Sequence, residues 1–373
     1  MKWSWRIARV AGIGIHVHVT FFLILLWVGT SSFLTRHLWS DAVEGMLFVL
    51  VLFAIVVLHE LGHALTARRF GIGTRDITLL PIGGVARLER MPEDPRQELL
   101  VALAGPAVNV CLAVFFFAII GGSRQFAQLA NIAAPADDFL GNLVLVNIVL
   151  ALFNLVPAFP MDGGRVLRAL LAMRLNYVRA TTIAARIGQT VAVLFGFAGF
   201  CSFFFGGLGP ISNPFLVFIG VFVWMGAAQE AGQVRMKSAL GSIPVNRVMI
   251  TDYRTLAIGD SLGRAVEFLL TGWQQDFPIL EEGRVEGLLT RAALAAGLSR
   301  FGPDASVQVA MEHRFPIASP LESVDSALTR MRANGSSALL VVDGGVLVGI
   351  LTSQNVNECL AVQTAVASKN LSR

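Results

Sequence analysis

The sequence predicts a polytopic α-helical membrane protein with six transmembrane helices, followed by a cytoplasmic α/β module. Of the 373 residues, 55% are hydrophobic and only 14% are charged, whereas soluble domains are about 25% charged. The charges are also unevenly distributed, because residues 244–373 carry 24 of the 54 charged side chains. A membrane-embedded body therefore precedes a more soluble tail.

Six apolar stretches are long enough to cross about 30 Å of hydrocarbon as helices. They cover residues 17–34, 43–67, 98–120, 141–160, 182–205 and 211–230. The first stretch follows basic residues and has no small-residue cleavage site, so we expect a retained span rather than a signal peptide. His16 and His18 lie at its start, where we expect an interfacial role.

The basic residues indicate which side of the membrane each loop faces. With a cytoplasmic N-terminus, sixteen Lys and Arg residues fall on the inner side and only Arg36 and Arg124 on the outer side. Inner loops carry an excess of Lys and Arg. We therefore predict a multi-pass protein of the cell (plasma or inner) membrane, with both termini in the cytoplasm. The tail has 11 basic and 13 acidic residues, so no direct nucleic-acid partner is expected.

The tail contains two copies of one unit, related by a shift of 62 residues. The segment 287–290 (Gly-Leu-Leu-Thr) corresponds to 349–352 (Gly-Ile-Leu-Thr). Each copy has the pattern of a helix, two strands joined by a glycine turn, and a short helix. The predicted domains are a membrane domain (1–231), a linker (232–243), two repeats (244–305 and 306–365) and a tail (366–373).

These repeats resemble a tandem pair of CBS domains, a module that often binds adenine nucleotides between its copies. The resemblance implies an adenine nucleotide near Thr290, Thr352 and Asn355. The acidic residue expected three positions after the threonine is Ala293 in the first copy and Asn355 in the second. If a nucleotide binds, we expect the second copy to dominate. A module that forms a homodimer or docks substrate without a ligand is the alternative.

The second apolar stretch contains His59, Glu60 and His63 in an H-E-x-x-H motif. On a helix, the two imidazoles lie one turn apart on the same face, which suits one Zn²⁺. The alternative is a pair of core histidines that hydrogen-bond within the bundle. Ionisable groups inside a membrane are costly and usually functional, which favours the metal.

A third ligand is available at the end of the fourth stretch. There two prolines break the helix, and Asp162 is the carboxylate that follows them. Irregular backbone at membrane depth is tolerated where protein or a water-filled cavity satisfies it. The second and fourth spans are predicted to run in the same direction, so His63 and Asp162 should lie in the same cytoplasmic third. The alternative role of Asp162 is to cap the next helix.

The two motifs, H-E-x-x-H and N-x-x-P-x-x-x-x-D-G, together resemble those of the site-2 protease family of intramembrane zinc metalloproteases. The similarity extends over about residues 10–230. It implies one zinc per chain and the following site residues: His59, His63 and Asp162 as ligands, Glu60 as general base, and Asn154 near the scissile carbonyl.

Two further segments look similar to the family. The segment 81–88 alternates around Gly83 and Gly84, which predicts a hairpin whose extended edge pairs with an unwound substrate strand. A plain cytoplasmic hairpin is the alternative. Asn109 ends an Ala-Gly-Pro-Ala-Val-Asn segment of the third span, and we expect it to serve packing rather than catalysis.

The sequence thus predicts an intramembrane zinc endopeptidase that acts on a transmembrane or membrane-tethered protein in the lipid bilayer, near the cytoplasmic face. Family members release membrane-held transcription regulators, and the CBS module is expected to regulate cleavage. A CBS-regulated transporter and an inactive membrane scaffold are the alternatives. A transporter should carry carboxylates on several spans, whereas only Glu60 and Asp162 lie well inside them. The intact ligand set argues against an inactive scaffold.

Overall fold

A computed structural model describes residues 3–81, 83–92, 94–120, 139–205, 213–359 and 361. The chain divides into two compact units, Met1–Val234 and Arg235–Arg373. The strands of the first unit are β1 (Ser4–Val10), β2 (Ile13–His18), β3 (Thr74–Leu80) and β4 (Gly83–Leu88). Its helices are α1 (Phe21–Arg36), α2 (Trp39–Arg69), α3 (Pro95–Ile119), α4 (Phe139–Asn154), α5 (Asp162–Ala172), α6 (Tyr177–Phe205) and α7 (Leu216–Gly241).

Four of the described helices, α2, α3, α6 and α7, are long and apolar enough to cross a membrane. The apolar helices α1 and α4 are shorter. Large apolar side chains are exposed on the long helices, such as Phe203 on α6 (70% exposed) and Phe218 on α7 (72% exposed). Such exposure is typical of a lipid-facing surface. The prediction of membrane helices is confirmed, and the count of six spans stays a prediction. Arg124 of the predicted outer side lies outside the described residues.

The residues before α1 form strands that the sequence analysis did not predict. β1 and β2 are antiparallel, β2 is parallel to β3, and β4 completes a sheet of order β1-β2-β3-β4. His16 and His18 therefore lie on β2, and α1 begins at Phe21 rather than at 17. The signal was present as strict alternation in β2, where Ile13, Ile15 and Val17 are buried.

This sheet packs against the helix that carries the H-E-x-x-H motif. Ile13 and Ile77 form one apolar cluster with Leu61 and Ala64 of α2. β4 is an edge strand of the sheet, and it also contacts α2. The strand predicted to receive substrate is thereby held beside the histidine helix.

A tight turn separates α4 from α5 and depends on two glycines. A Cβ atom on Gly163 would lie 2.2 Å from the carbonyl oxygen of Val156, and one on Gly164 would lie 2.6 Å from the backbone nitrogen of Phe159. Neither position has room for a side chain. The glycine pair therefore lets the start of α5 pack closely against the proline-containing turn. Asp162, the first residue of α5, is positioned by this contact.

The second unit contains both predicted repeats. The elements of the first copy are β5 (Leu256–Ala257), α8 (Leu262–Thr271), β6 (Phe277–Glu281), β7 (Arg284–Leu289) and α9 (Arg291–Phe301). Those of the second copy are β8 (Ile317–Ala318), α10 (Val324–Ala333), β9 (Ala338–Asp343) and β10 (Val346–Thr352), followed by a short helix over 353–359. The turns between the paired strands use glycines with positive φ, Gly283 at 81° and Gly344 at 57°.

The two copies exchange their first segments. Val245, at the start of the first sequence repeat, packs in the apolar core of the second copy. Its counterpart Val307 packs in the core of the first copy. The N–H of Val245 donates to the carbonyl of Glu322 at 2.8 Å. The stretch 232–243, predicted as a linker, is helical as far as Gly241 because α7 continues through it.

Candidate metal centre

Two helices bring three ligand-type side chains to one point. His59 and His63 lie one turn apart on α2, and their Nε2 atoms are 3.1 Å apart. Asp162, the first residue of α5, places its Oδ2 atom 3.2 Å from Nε2 of His59 and 3.1 Å from Nε2 of His63. All three side chains are buried. Asp162 is the first helical residue rather than the cap, which is Met161.

The other ring nitrogen of each histidine faces a hydrogen-bond acceptor. Nδ1 of His63 donates to the carbonyl oxygen of Val101 at 2.7 Å. Nδ1 of His59 donates to Oδ1 of Asn109 at 2.5 Å. A backbone carbonyl can only accept, so the proton of a neutral His63 is on Nδ1. Its Nε2 lone pair then points towards Asp162, which is the tautomer that binds metals through Nε2.

A chain of amides fixes the orientation of Asn109. Its Nδ2 donates to Oδ1 of Asn147 at 3.1 Å, and Nδ2 of Asn147 donates to the carbonyl oxygen of Leu143 at 2.8 Å. Because that last carbonyl is an acceptor, each amide in the chain must present its oxygen towards the preceding donor. Asn109 therefore accepts from His59, and two neutral imidazoles would both turn unprotonated Nε2 atoms towards the carboxylate.

The backbone of α3 forms one wall of the site. A Cβ atom on Gly105 would lie 2.2 Å from Nε2 of His63 and 2.6 Å from Nε2 of His59. A Cβ atom on Gly62 would lie 2.8 Å from the carbonyl oxygen of Ala104. The α2 and α3 helices thus cross at glycines, which leaves space at the histidines that a side chain would fill.

Similarity to known proteins agrees with this arrangement. The model of peptidase family M50 matches residues 47–195, and that of the CBS domain matches 305–361. A zinc metalloprotease of Methanocaldococcus jannaschii is 30% identical over 364 residues, which cover 97% of this chain and 97% of its own. This chain belongs to peptidase family M50, the site-2 protease family.

The M50 peptidase is also similar to Rip3 of Mycobacterium tuberculosis, with 31% identity over 378 residues that cover 95% of this chain and 92% of that protein. A solved site-2 protease from Methanocaldococcus jannaschii is 36% identical and covers 61% of this chain and 95% of its own, with a TM-score of 0.43.

The family implies zinc, and the residues present fit that metal. Two imidazole nitrogens and one carboxylate oxygen form a ligand set typical of catalytic zinc sites. In a tetrahedral site with bonds near 2.0–2.1 Å, ligand atoms lie about 3.3 Å apart, close to the 3.1–3.2 Å found here. With both imidazoles neutral, three acceptor atoms converge without a donor between them, and a shared cation would offset their repulsion.

Glu60 lies next to the histidines and contacts the edge strand. Its Oε2 accepts a hydrogen bond of 3.2 Å from the N–H of Ala86 on β4. Gly84 permits this approach, since a Cβ atom there would lie 2.8 Å from Cγ1 of Val56 and 3.0 Å from Cγ of Glu60. Gly83 has a φ of 133°, which favours glycine. The two predicted substrate-binding glycines thus lie on the strand that contacts Glu60.

Asn154 has a different environment. It is the last residue of α4, and its Nδ2 donates to the carbonyl oxygen of Leu150 in the preceding turn at 2.9 Å. This hydrogen bond stabilises the helix end just before the proline-containing turn. A catalytic role for Asn154 stays a prediction.

The predicted nucleotide residues lie in unlike surroundings. Thr352 and Asn355 line a cleft of about 560 Å³ within the second unit, together with Trp273 and Ser337. The Thr352 hydroxyl donates to the side-chain oxygen of Asn355 and accepts from its N–H at 3.3 Å. These bonds begin the short helix that follows β10.

Thr290, the counterpart in the first copy, is buried. Its hydroxyl donates to Oε1 of Glu312 at 2.9 Å and accepts from the N–H of Ala293 at 3.2 Å. Thr290 does not line the cleft that contains Thr352. The two threonines, which occupy equivalent positions in the repeat, therefore differ in access.

The sequence did not predict the hydrogen bonds of two amides behind His59. Asn109 was assigned to packing, and Asn147 was not singled out, yet both help to hold His59. A signal existed, because each is an amide on an apolar helix, where a polar side chain is expected to have a hydrogen-bonding partner.

Proposed function

We propose that this peptidase hydrolyses a peptide bond of a transmembrane or membrane-tethered protein near the cytoplasmic face of the membrane. The observation that carries the proposal is the buried convergence of His59, His63 and Asp162, which fits one zinc. The helix that bears both histidines is long and apolar enough to span a membrane. A peptidase site at that depth has access to membrane segments of its substrate.

In the proposed mechanism, His59, His63 and Asp162 hold zinc, which when bound supplies Lewis-acid catalysis. Glu60 accepts a proton from the attacking water and returns it to the leaving amine. Its position beside His59 and its contact with an edge strand support this role. Nη1 of Arg165 lies 3.9 Å from Oδ1 of Asp162 and partly offsets the charge of the carboxylate.

Substrate is proposed to bind as an extended strand along β4, at Gly83 and Gly84. Helical membrane segments must unwind before a peptide bond is accessible, and an edge strand stabilises the unwound form through backbone hydrogen bonds. The N–H of Ala86, now bonded to Glu60, is a donor at this edge. Asn154, at the broken end of α4, is proposed to stabilise the oxyanion or to hold this helix end.

The CBS module is proposed to regulate cleavage and to form a homodimer, with an adenine nucleotide bound in the cleft of Thr352 and Asn355. The accessibility of Thr352, in contrast to the buried Thr290, supports binding at the second copy. A ligand shifts the peptidase only if it binds two arrangements of the module unequally. Deletion of residues 244–373 should leave zinc binding intact, because every proposed ligand precedes residue 165.

Both termini are proposed to be cytoplasmic, as the distribution of basic residues predicts. Single cysteines at positions 90, 174 and 260, introduced into a variant lacking Cys111, Cys201 and Cys359, should react only from the cytoplasmic side. A cysteine at 124 should react from outside. Labelling of position 260 from outside would overturn this orientation.

The decisive experiment compares purified wild type with Glu60→Gln on a model transmembrane substrate, with zinc analysis of both proteins. Loss of a general base typically costs 10²–10⁴-fold in rate, so we expect at least a 100-fold loss of cleavage with zinc retained. Similar turnover by both proteins would exclude the proposed mechanism.

A further inference from the structure

A fully buried arginine lies two turns beyond Asp162 on the same helix. Arg168 of α5 is 0% exposed. Its Nε and Nη2 donate to Oε1 of Glu98 at 2.7 and 2.5 Å, and its Nη1 donates to Oε1 of Glu230 at 2.5 Å. The guanidinium carbon also lies 5.1 Å and 5.0 Å from the ring centres of Phe159 and Tyr177. We call Glu98, Arg168 and Glu230 the arginine cluster.

The arginine cluster joins three helices at one point. Glu98 belongs to the first turn of α3, Arg168 to α5 and Glu230 to α7. Arg168 lies six positions after Asp162, which is about 9 Å along a helix. A side chain at 168 that is held on both sides therefore limits the sliding and rotation of the short helix that begins with the third ligand.

One face of α3 contacts both the histidines and the arginine cluster. Glu98, Val101, Gly105 and Asn109 recur at helical spacing, and all four are buried. Val101 and Asn109 accept from the two histidines, and Gly105 lies against their Nε2 atoms. Glu98 bonds to the helix of Asp162 from the same face. α3 therefore sets the distance between the histidine pair and the aspartate.

Stability alone does not explain this cluster. Removing charges from water costs several kcal/mol per ion, so buried ion pairs contribute little net stability compared with apolar groups of the same size. Among the described residues, Oε2 of Glu98 is buried without a hydrogen-bond partner, which adds a further cost. An arrangement of this kind is better explained by the geometry that it imposes.

We propose that the arginine cluster is a positioning device that fixes α5, and hence Asp162, at the distance from His59 and His63 that a shared metal requires. Arg168 acts through Asp162 and does not touch the reacting groups. The inference rests on the proposed metal ligands. It adds that Asp162 is kept in position by the arginine cluster, whose residues lie outside both sequence motifs.

The test measures zinc affinity of the full-length protein by competition with a chromophoric chelator, together with thermal unfolding of the metal-free protein. Glu98→Asp shortens the acidic side chain by one methylene group and keeps its charge. Arg168→Lys keeps the charge and removes the planar fork. We expect each variant to bind zinc about tenfold or more weakly, as found for residues that orient metal ligands.

The matched control is Gly199→Ala, whose methyl group would lie 2.6 Å from the backbone nitrogen of Val217, at a contact between α6 and α7, two helices that carry no proposed ligand. It should lower the melting temperature of the metal-free protein and leave zinc affinity unchanged. If a cluster variant does not fold, Glu230→Gln decides, because the Glu230 side chain is 28% exposed and its loss should be tolerated. We expect that variant to bind zinc several-fold more weakly.

Zinc affinity within twofold of wild type in every folded cluster variant would overturn the inference and leave the proposed function standing. The same result follows if Gly199→Ala weakens zinc binding as much as the cluster variants do, because the effect would then be general destabilisation. Failure of the wild-type protein to bind zinc would instead remove the proposed function.

Discussion

The metal centre and the CBS cleft hold their polar groups in opposite ways. At the centre, three acceptor atoms of His59, His63 and Asp162 meet within 3.2 Å with no donor between them. In the cleft, the Thr352 hydroxyl is already bonded to Asn355. Buried acceptors that face one another without a donor favour a shared cation, whereas polar groups that already hydrogen-bond to each other do not. The structure itself therefore supports a metal, while the nucleotide rests on resemblance and on access.

The largest effect should follow removal of a proposed ligand. We expect about one zinc per chain in the wild type, as a three-ligand site implies, and almost none in His59→Ala or Asp162→Ala. Elemental analysis of protein purified without added metal measures this. Asp343→Ala, which removes an exposed carboxylate of the second unit, is the control and should keep its zinc. Full retention of zinc in Asp162→Ala would remove that residue from the ligand set.

A smaller change at the wall of the centre should also be severe. Gly105→Ala places a methyl group 2.2 Å from Nε2 of His63, so either the histidine or α3 must move. Overpacking of this kind costs about 1–3 kcal/mol, and we expect zinc content and cleavage to fall together. Gly196→Ala is the matched control, since no atom lies within 4 Å of a Cβ there. Normal zinc binding in Gly105→Ala would contradict the described approach of α3.

The amide chain behind His59 should have an intermediate effect. Asn109→Ala leaves Nδ1 of His59 without its acceptor, and loss of such a partner typically weakens metal binding 10–100-fold. Asn109→Asp keeps an acceptor for His59 but places a carboxylate oxygen against Oδ1 of Asn147, so it should recover only part of the affinity. Chelator competition measures both variants. Equal affinity in wild type and Asn109→Ala would return Asn109 to the packing role predicted from the sequence.

In the CBS module, equivalent substitutions should have different consequences. Thr290→Val removes the bond to Glu312 and a helix cap, each worth about 1 kcal/mol, so stability should fall. Thr352→Val also removes a helix cap, but it should in addition weaken nucleotide binding, which Thr290→Val should not. Calorimetry of the full chain with AMP, ADP and ATP tests this. Absence of heat with all three nucleotides would favour a docking or dimerisation module.

The smallest effect concerns a partly exposed ion pair between β3 and β4. Hydrogen bonds from Arg87 lower the pKa of Asp76 below its ordinary value of 3.8. The stabilisation is therefore present above the ordinary carboxyl pKa and is lost as the pH falls through the lowered value. Because the Arg87 side chain is 48% exposed, we expect only a slight loss of hydrogen-exchange protection in β3 and β4 below about pH 4. Asp76→Asn should abolish that pH dependence.

The sequence alone determined the residue types and their local spacing. His59 and His63 recur at i and i+4, which any helix places on one face. The hydropathy of the sequence located the long helices, and the 62-residue repeat predicted the order of helices and strands in each copy of the repeat. The N-terminal strands were not predicted because their short alternating pattern adjoins a longer apolar run. The end of β2 was therefore assigned to the first transmembrane span.

Only the tertiary structure decided which distant residues meet. Asn109 and Asn147 differ from other polar residues only by the helices that face them, so spacing along the chain does not reveal that they hold His59. Thr290 and Thr352 occupy equivalent repeat positions, yet Glu312 contacts one of them and an open cleft surrounds the other. Local sequence fixes which face of an element is polar, whereas packing between elements fixes what that face contacts, and this second step forms the metal centre.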